Sequence, residues 1–301
     1  MEKVIVTGGA GFIGSHIVDT LVDRGYDVHV IDTLYAGRKE YVHEKATLHI
    51  VDVRDREALT PLFEGARYVF HEAGLPGVQM SIDLPLETNE VNVIGLLNVL
   101  EASRIHGVKR VIFAASSSAY GNQEIMPLTE NLPVTPVSPY GVQKYVGEVY
   151  CKIWSRVYGI ETVSLRYFNV YGPRQSSVGA YASVIARFID MRAKGDPLTI
   201  TGDGNQTRDF VHINDVVRAN LIAMTHTAVG SGDVINIGNT TSVSVNHIAE
   251  LIGGEIVHIE PRLEARDSQA SIEKAKTILG WEPEVSIEEG IRGLKEFYNI
   301  G

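Results

Sequence analysis

A doubly wound α/β fold, a parallel sheet with helices on both faces, is predicted by three features of this sequence. Continuous apolar runs alternate with stretches of helical spacing. A glycine-rich turn joins the first run to the first helix. The 301 residues, 44 % of them apolar and 21 % charged, supply a sizeable core for one large α/β unit or two domains of about 150 residues each. Element by element, Val4–Thr7 is a strand that stops at Gly8, and Ile13–Arg24 is a helix with Ile13, Ile17, Val18, Leu21 and Val22 on one face. Val28–Ile31 is a second strand closed by Asp32, and Leu48–Val51, Tyr68–His71, Val111–Ala114 and Thr162–Arg166 continue the series. Helices at Arg56–Phe63, Thr88–His106 and Pro139–Tyr158 lie between them. Ligands of such sheets bind at the carboxyl ends of the strands.

After Tyr171 the pattern shortens. Ala182–Lys194 and Glu288–Tyr298 read as helices, and Gly202-Asp203-Gly204-Asn205 as a turn. The expected organisation is a dinucleotide-binding domain over residues 1–171, to which the chain returns near 213–237, and a smaller substrate domain over 172–301.

Net charge is −10, from 27 Lys+Arg against 37 Asp+Glu, so the surface repels nucleic-acid backbones and no nucleic-acid partner is expected. A local phosphate-binding site remains compatible with that charge. Cys151 is the single cysteine, which excludes a disulfide framework and a multi-cysteine zinc site, and no metal is expected. No apolar run approaches ~20 residues and the run after Met1 is too short for a signal-peptide core, so no membrane association and a cytoplasmic location are expected.

Gly8-Gly9-Ala10-Gly11-Phe12-Ile13-Gly14 lies at a strand-to-helix junction and satisfies G-x-x-G-x-x-G through Gly8, Gly11 and Gly14. Glycines there allow a tight turn, close approach of a pyrophosphate and close helix packing, while the helix start offers unpaired N–H donors. Asp32, 18 residues beyond Gly14, can accept hydrogen bonds from ribose hydroxyls and repel a 2′-phosphate, which favours NAD. Asp52 and Val53, after the third strand, are placed to flank the adenine or serve only the fold.

Tyr140 and Lys144 stand one helical turn apart on one face. A tyrosine has a pKa of ~10, and a neighbouring ammonium and an oxidised nicotinamide ring are both expected to stabilise its phenolate, so that the phenol exchanges a proton with an alcohol. Ser116, Ser117 and Ser118 follow the fifth strand, and any of the three hydroxyls can bond the same substrate oxygen. A non-enzymatic NAD-binding module would need the glycine loop but neither Tyr140 nor Lys144.

With these residues the chain resembles the extended short-chain dehydrogenase/reductase family, and within it the nucleotide-sugar 4-epimerases. The resemblance rests on Thr7–Gly14, His71-Glu72-Ala73-Gly74, Asn92, Ser116-Ser117-Ser118, Ser138-Pro139-Tyr140, Lys144, Arg166 to Gln175, and Gly202-Asp203-Gly204 with Thr207-Arg208-Asp209-Phe210. Ala114–Tyr120 and Gly179–Ala182 look most like the UDP-N-acetylglucosamine 4-epimerase branch. It implies a Rossmann-type fold and NAD held by Gly8, Gly11, Phe12, Ile13, Gly14, Asp32, Asp52, Val53, Ala73, Gly74, Asn92, Tyr140, Lys144 and Tyr167. It implies a UDP-sugar held by Ser116, Ser117, Ser118, Tyr140, Asn169, Val184, Arg208, Arg262 and Ser268. Counting four residues back from Tyr120 makes Ser116 the catalytic hydroxyl beside Tyr140 and Lys144.

The implied reaction is oxidation of the sugar 4-hydroxyl, rotation of a 4-keto sugar and return of hydride to its other face. Ser268 falls where glucose-only epimerases carry a bulky tyrosine, which leaves room for a 2-acetamido group. Pro76 stands where some epimerases have a lysine against the cofactor. Dehydratases and decarboxylases of the same fold carry a carboxylate beside the catalytic hydroxyl, where this chain has Ser117 and Ser118. Relatives are often homodimers that pair helices including the one bearing Tyr140.

Overall fold

The computed structural model describes residues 1–177, 183–260 and 267–300. The chain begins β1 (Lys3–Thr7), α1 (Phe12–Asp23), β2 (Asp27–Asp32), β3 (Thr47–Ile50), α2 (Arg56–Leu59) and β4 (Ala66–His71). Next come α3 (Val78–Asp83), α4 (Pro85–Asn89) and α5 (Gly95–Ile105), the last two joined by a π-helical stretch over Glu90–Ile94 that carries Asn92. Then follow β5 (Arg110–Ser116), α6 (Pro139–Tyr158), β6 (Glu161–Tyr167), β7 (Asn169–Tyr171), α7 (Val184–Lys194), β8 (Leu198–Thr201), β9 (Thr207–His212) and α8 (Ile213–Thr225). The chain closes with β10 (Ser231–Ile237), β11 (Ser242–Ser244), α9 (Val245–Ile252), β12 (Ile256–Ile259) and α10 (Ile287–Phe297).

Seven strands form one parallel sheet in the order β10-β6-β5-β4-β1-β2-β3. This is the Rossmann-type doubly wound arrangement, with β10 supplying the strand after the chain has left for the smaller unit. Strand order reverses between β1 and β4, and the carboxyl edge there is the ligand-binding crevice of such sheets. Residues of β1 alternate between two cores. Val4 and Val6 pack with Ile17 and Leu21 of α1 and Val216 of α8, whereas Ile5 packs with Leu96 and Val99 of α5 and Cys151 of α6. A sheet buried on both faces needs this continuous apolarity.

The α6 start is set locally. The Ser138 hydroxyl accepts from the Gly141 amide at 3.1 Å, Pro139 takes the first helical position, and Gly159 ends the helix at φ 75°. A third core, built on Ile185, Phe188, Ile200, Phe210, Ile248 and Ile291, holds α7, α9 and α10 with the short sheets β11-β9-β7 and β12-β8. Among the described residues no helix is long and apolar enough to cross a membrane.

Candidate active site

The glycine loop is folded tightly against its neighbours. Gly8 has φ 70°, and a β-carbon there would lie 2.6 Å from the Ala73 nitrogen; one on Gly14 would run into the Gly8 carbonyl. The Asp32 carboxylate accepts from the Ala10 amide at 3.0 Å and the Leu34 amide at 2.8 Å, which fixes the end of β2 against the loop. No side chain caps α1, so the amides at Phe12 and Ile13 lie at a helix start that no protein side chain has neutralised. A dinucleotide needs a backbone anion cradle and an acid for the ribose, and Gly8–Gly14 with Asp32 fit that group.

The other expected cofactor positions differ in what their side chains can offer. Asp52 is bound by Arg54, backbone amide at 2.8 Å and guanidinium at 2.7 Å, and the bonds from Arg54 hold its carboxyl below the usual range. Val53 is buried, and its methyls fill the space left by Gly95. Asn92 accepts from the Leu75 amide at 2.8 Å and donates to the Leu75 carbonyl and to Gln143 at 2.8 Å. Its side chain therefore fixes the loop after Gly74 and the register of α6. Tyr167 spends its hydroxyl on Glu72 and Asn220, each at 3.0 Å. Gly74 lies against Lys144, with its missing β-carbon 3.7 Å from Nζ.

Tyr140, Lys144 and Ser116 meet at the tip of β5. The Ser116 side chain faces the Tyr140 phenol, and its hydroxyl accepts the Ser118 amide at 3.2 Å. Lys144 donates to the Ala114 carbonyl at 2.7 Å, and its Nζ is 5.8 Å from the centre of the Tyr140 ring. The Tyr140 amide donates to Ser81 at 3.0 Å, which ties α6 to α3. Ser117 and Ser118 form a single 3-10 turn, half-buried, with no carboxylate between them and Ser116.

Burial dominates the electrostatics of both groups, Tyr140 and Lys144. Burial pushes Tyr140 up to about 12, partly opposed by the neighbouring Ser116 hydroxyl, and burial pushes Lys144 down to about 8. Desolvation disfavours both charged forms, and a partner 5.8 Å from the ring centre does not offset it.

Three residues around the site, none assigned a role from the sequence, take their surroundings from the fold. His71 is buried, bonded to Thr7 at 2.8 Å and stacked on Phe113, and burial drives it down to about 3, so it is neutral. Glu148 and Arg166 form a buried, two-bond ion pair at 2.7 Å one turn beyond Lys144. The 140–144–148 helical spacing is the available clue to Glu148. Glu72, the residue after β4, is a third, and its Oε1 lies 3.0 Å from the Tyr167 hydroxyl.

In the smaller unit, the Asn169 amide donates to the Asp209 carbonyl at 3.1 Å, and Asn169 pairs with Phe210 across β7 and β9. Arg208 lies next along β9 and donates to the Thr207 carbonyl at 2.9 Å. The Ser268 amide donates to that same carbonyl at 3.3 Å, so Asn169, Arg208 and Ser268 gather on one small sheet. Val184 opens α7, half-buried. Arg262 and Gly179–Ala182 lie outside the described residues.

A dinucleotide cradle set beside a phenol and an amine able to move protons is the equipment of a short-chain dehydrogenase/reductase enzyme. The model of the NAD dependent epimerase/dehydratase family matches residues 4–238, and the chain belongs to that family, with NAD as its cofactor. It is 42 % identical over 298 residues, 96 % of each chain, to a putative UDP-glucose 4-epimerase of Methanocaldococcus jannaschii. The structure of the UDP-glucose 4-epimerase of Thermotoga maritima with UDP-glucose superimposes with a TM-score of 0.95 at 40 % identity, covering 99 % of this chain and 98 % of that one. A UDP-N-acetylglucosamine 4-epimerase of Methanobrevibacter ruminantium gives 0.94 at 35 % identity over 99 % and 98 %. A UDP-N-acetyl-alpha-D-glucosaminuronate decarboxylase of Bacillus cytotoxicus is 32 % identical over 97 % of this chain and 96 % of its own.

Proposed function

We propose that this chain is a UDP-hexose 4-epimerase, acting on UDP-glucose and UDP-galactose and on their 2-acetamido counterparts. The observation that carries the reading is the meeting of Tyr140, Lys144 and Ser116 at the tip of β5, with serines and no carboxylate next in the chain. Elimination or decarboxylation on this fold would call for an extra acid or base at Ser117 or Ser118, and neither can serve. When bound, NAD supplies a hydride acceptor and donor with a positively charged ring, and a cycle that returns the hydride needs no external reductant.

The chain's own residues move the proton. Tyr140 is a neutral phenol at pH 7 in the pocket as it stands, so it is a donor until positive charge arrives with the ligands. Once its own proton has passed to solvent, the phenolate takes the proton of the sugar hydroxyl and later returns it. Ser116 orients that hydroxyl by bonding the same oxygen, and Lys144 places a positive charge 5.8 Å from the centre of the phenol ring. Asn169, Val184, Arg208 and Ser268, with Arg262, hold the UDP-sugar, and Arg208 suits a diphosphate because guanidinium–phosphate bonds are charge-assisted. The serine at 268 leaves space for an acetamido group. Residues 1–171 with the return through 213–237 form the NAD-binding unit, and 172–301 the sugar-nucleotide unit.

Val142, Tyr145, Val149 and Ile153 expose one apolar stripe along α6, which supports a homodimer that covers it. Cys151 is buried and unpaired, which suits a reducing, cytoplasmic compartment. The test is incubation of the purified chain with UDP-glucose and with UDP-N-acetylglucosamine, without added NAD, and identification of products by NMR. Formation of both galacto products is expected. No turnover of UDP-N-acetylglucosamine would remove the acetamido claim, and a dehydrated product from UDP-glucose would remove the epimerase reading.

A further inference from the structure

Asp209 follows Arg208 on β9, and successive side chains of a strand face opposite ways. Arg208 stays half-buried, whereas Asp209 is fully buried. The Asp209 carboxylate accepts three backbone amides: Asn239 at 2.6 Å on Oδ1, and Thr240 at 3.0 Å and Ala270 at 2.9 Å on Oδ2. A backbone N–H can only donate, so all three bonds have one direction, with the carboxylate as acceptor. Burial raises Asp209 to about 6 and the three amides pull it back, so the ionised acceptor prevails at neutral pH.

The three donors come from two separate stretches of chain. Asn239 and Thr240 lie just past β10, an edge strand of the large sheet. Ala270 lies in the segment that brings Ser268 to the small sheet, and that segment is tied on each side. Gln269 Nε2 donates to the Thr240 carbonyl at 2.7 Å, and the Ser242 hydroxyl to the Ser268 carbonyl at 2.7 Å. Leu128, in the connection between β5 and α6, donates its amide to the Gln269 carbonyl at 2.7 Å and accepts the Ser271 amide at 2.9 Å. Gly238 makes room for the junction, because a β-carbon there would lie 2.5 Å from the Ala270 β-carbon and 3.0 Å from an Asp209 carboxylate oxygen. The Asp209 carbonyl, for its part, accepts the Asn169 side-chain amide at 3.1 Å.

We propose that Asp209 is a positioning residue that clasps the exit of β10 and the 268–270 segment to β9, and so sets Arg208 and Ser268 in place relative to the NAD-binding unit. Its carboxylate is spent on three amides and acts through the residues they belong to. One buried side chain thereby joins the last strand of the large sheet, the strand that carries Arg208 and the segment that carries Ser268. Loosening it should move the groups that hold the sugar nucleotide and leave the glycine loop, Tyr140 and Lys144 where they are.

The inference rests on the sugar-nucleotide role given to Arg208 and Ser268 under the proposed function. Its test titrates NAD-loaded protein calorimetrically with UDP, which carries the diphosphate that Arg208 serves and lacks the sugar. Asp209→Asn sets an NH2 group against at least one of the three amides and should weaken UDP about tenfold or more, with bound NAD unchanged. Steady-state assays with UDP-glucose should show KM rising by about the same factor and kcat within about threefold of wild type. In an Arg208→Ala background the same change should weaken UDP less than about threefold, because the contact it displaces is already gone. Gln269→Ala, which removes only the side-chain tie to Thr240, should weaken UDP about threefold, and it decides the matter if Asp209→Asn does not fold. UDP affinity within about twofold of wild type in the folded variants, or an equal loss in both Arg208 backgrounds, would overturn the proposal. Wild-type protein that holds NAD and binds no UDP would overturn the sugar-nucleotide reading itself, and this proposal with it.

Discussion

Two glycines three residues apart should fail in different ways. Gly11 sits at φ −83°, ψ −176°, a conformation open to alanine, and a β-carbon there would meet only the Gly8 carbonyl oxygen, at 3.1 Å. Gly11→Ala should therefore change stability by less than about 1 kcal/mol, a slightly poorer helix cap being offset by a less flexible unfolded chain. The methyl would, however, stand over the loop where a pyrophosphate must reach backbone amides. NAD affinity should fall at least tenfold, about 1.4 kcal/mol. Gly14→Ala is different, because its β-carbon would strike the Gly8 carbonyl and lie 2.8 Å from the Gly9 α-carbon, and both are backbone atoms that cannot turn aside. Overpacking of this kind costs about 1–3 kcal/mol, or roughly 2–12 °C in Tm for a domain of this size. Calorimetric melting of NAD-free protein, with isothermal titration by NAD, separates the two. The reasoning fails if Gly11→Ala binds NAD like wild type, or if it loses as much thermal stability as Gly14→Ala.

Ser116→Ala should lower kcat about 10²-fold with NAD content unchanged; an unchanged kcat in steady-state assays would pass the role to Ser117 or Ser118. Glu148→Gln leaves Arg166 charged and buried, with Nη1 already lacking a partner, and should cost roughly 3–5 kcal/mol in urea unfolding; a loss under 1 kcal/mol would show the pair to be replaceable. Lys144 is lowered from an ordinary 10.5 to about 8, so the folded state is penalised for carrying its charge. That penalty, about 3 kcal/mol, is complete below pH 8 and fades as pH rises to 10.5. Lys144→Met should therefore be inactive yet more stable at pH 7 by about 2 kcal/mol, once roughly 1 kcal/mol is set against the lost bond to Ala114. Unfolding curves at pH 7 and pH 10.5 check it, and a gap that does not close at the higher pH would contradict the stated cause.

The sequence by itself determined the parts whose causes are local. Apolar runs and helical spacing place β1, α1 and β2, and Ser138-Pro139 with Gly159 brackets α6 at both ends because capping acts within one turn. The glycine loop, Asp32, Ser116, Tyr140 and Lys144 were legible because backbone reach and i,i+4 spacing fix their geometry in advance. Tertiary structure alone decided how those groups behave. Tyr140 is pushed up and Lys144 down because both are taken from water, and burial is a property of everything packed around them. Asn92, expected at the cofactor, spends its amide on Leu75 and Gln143, contacts 17 and 51 residues away. Glu72 reads in the chain as a lone acid after an apolar strand; only the pairing of β4 between β1 and β5 brings it to Tyr167, 95 residues further on. Charge and proton affinity depend on neighbours distant in sequence, which is why a motif can name these residues without fixing their protonation.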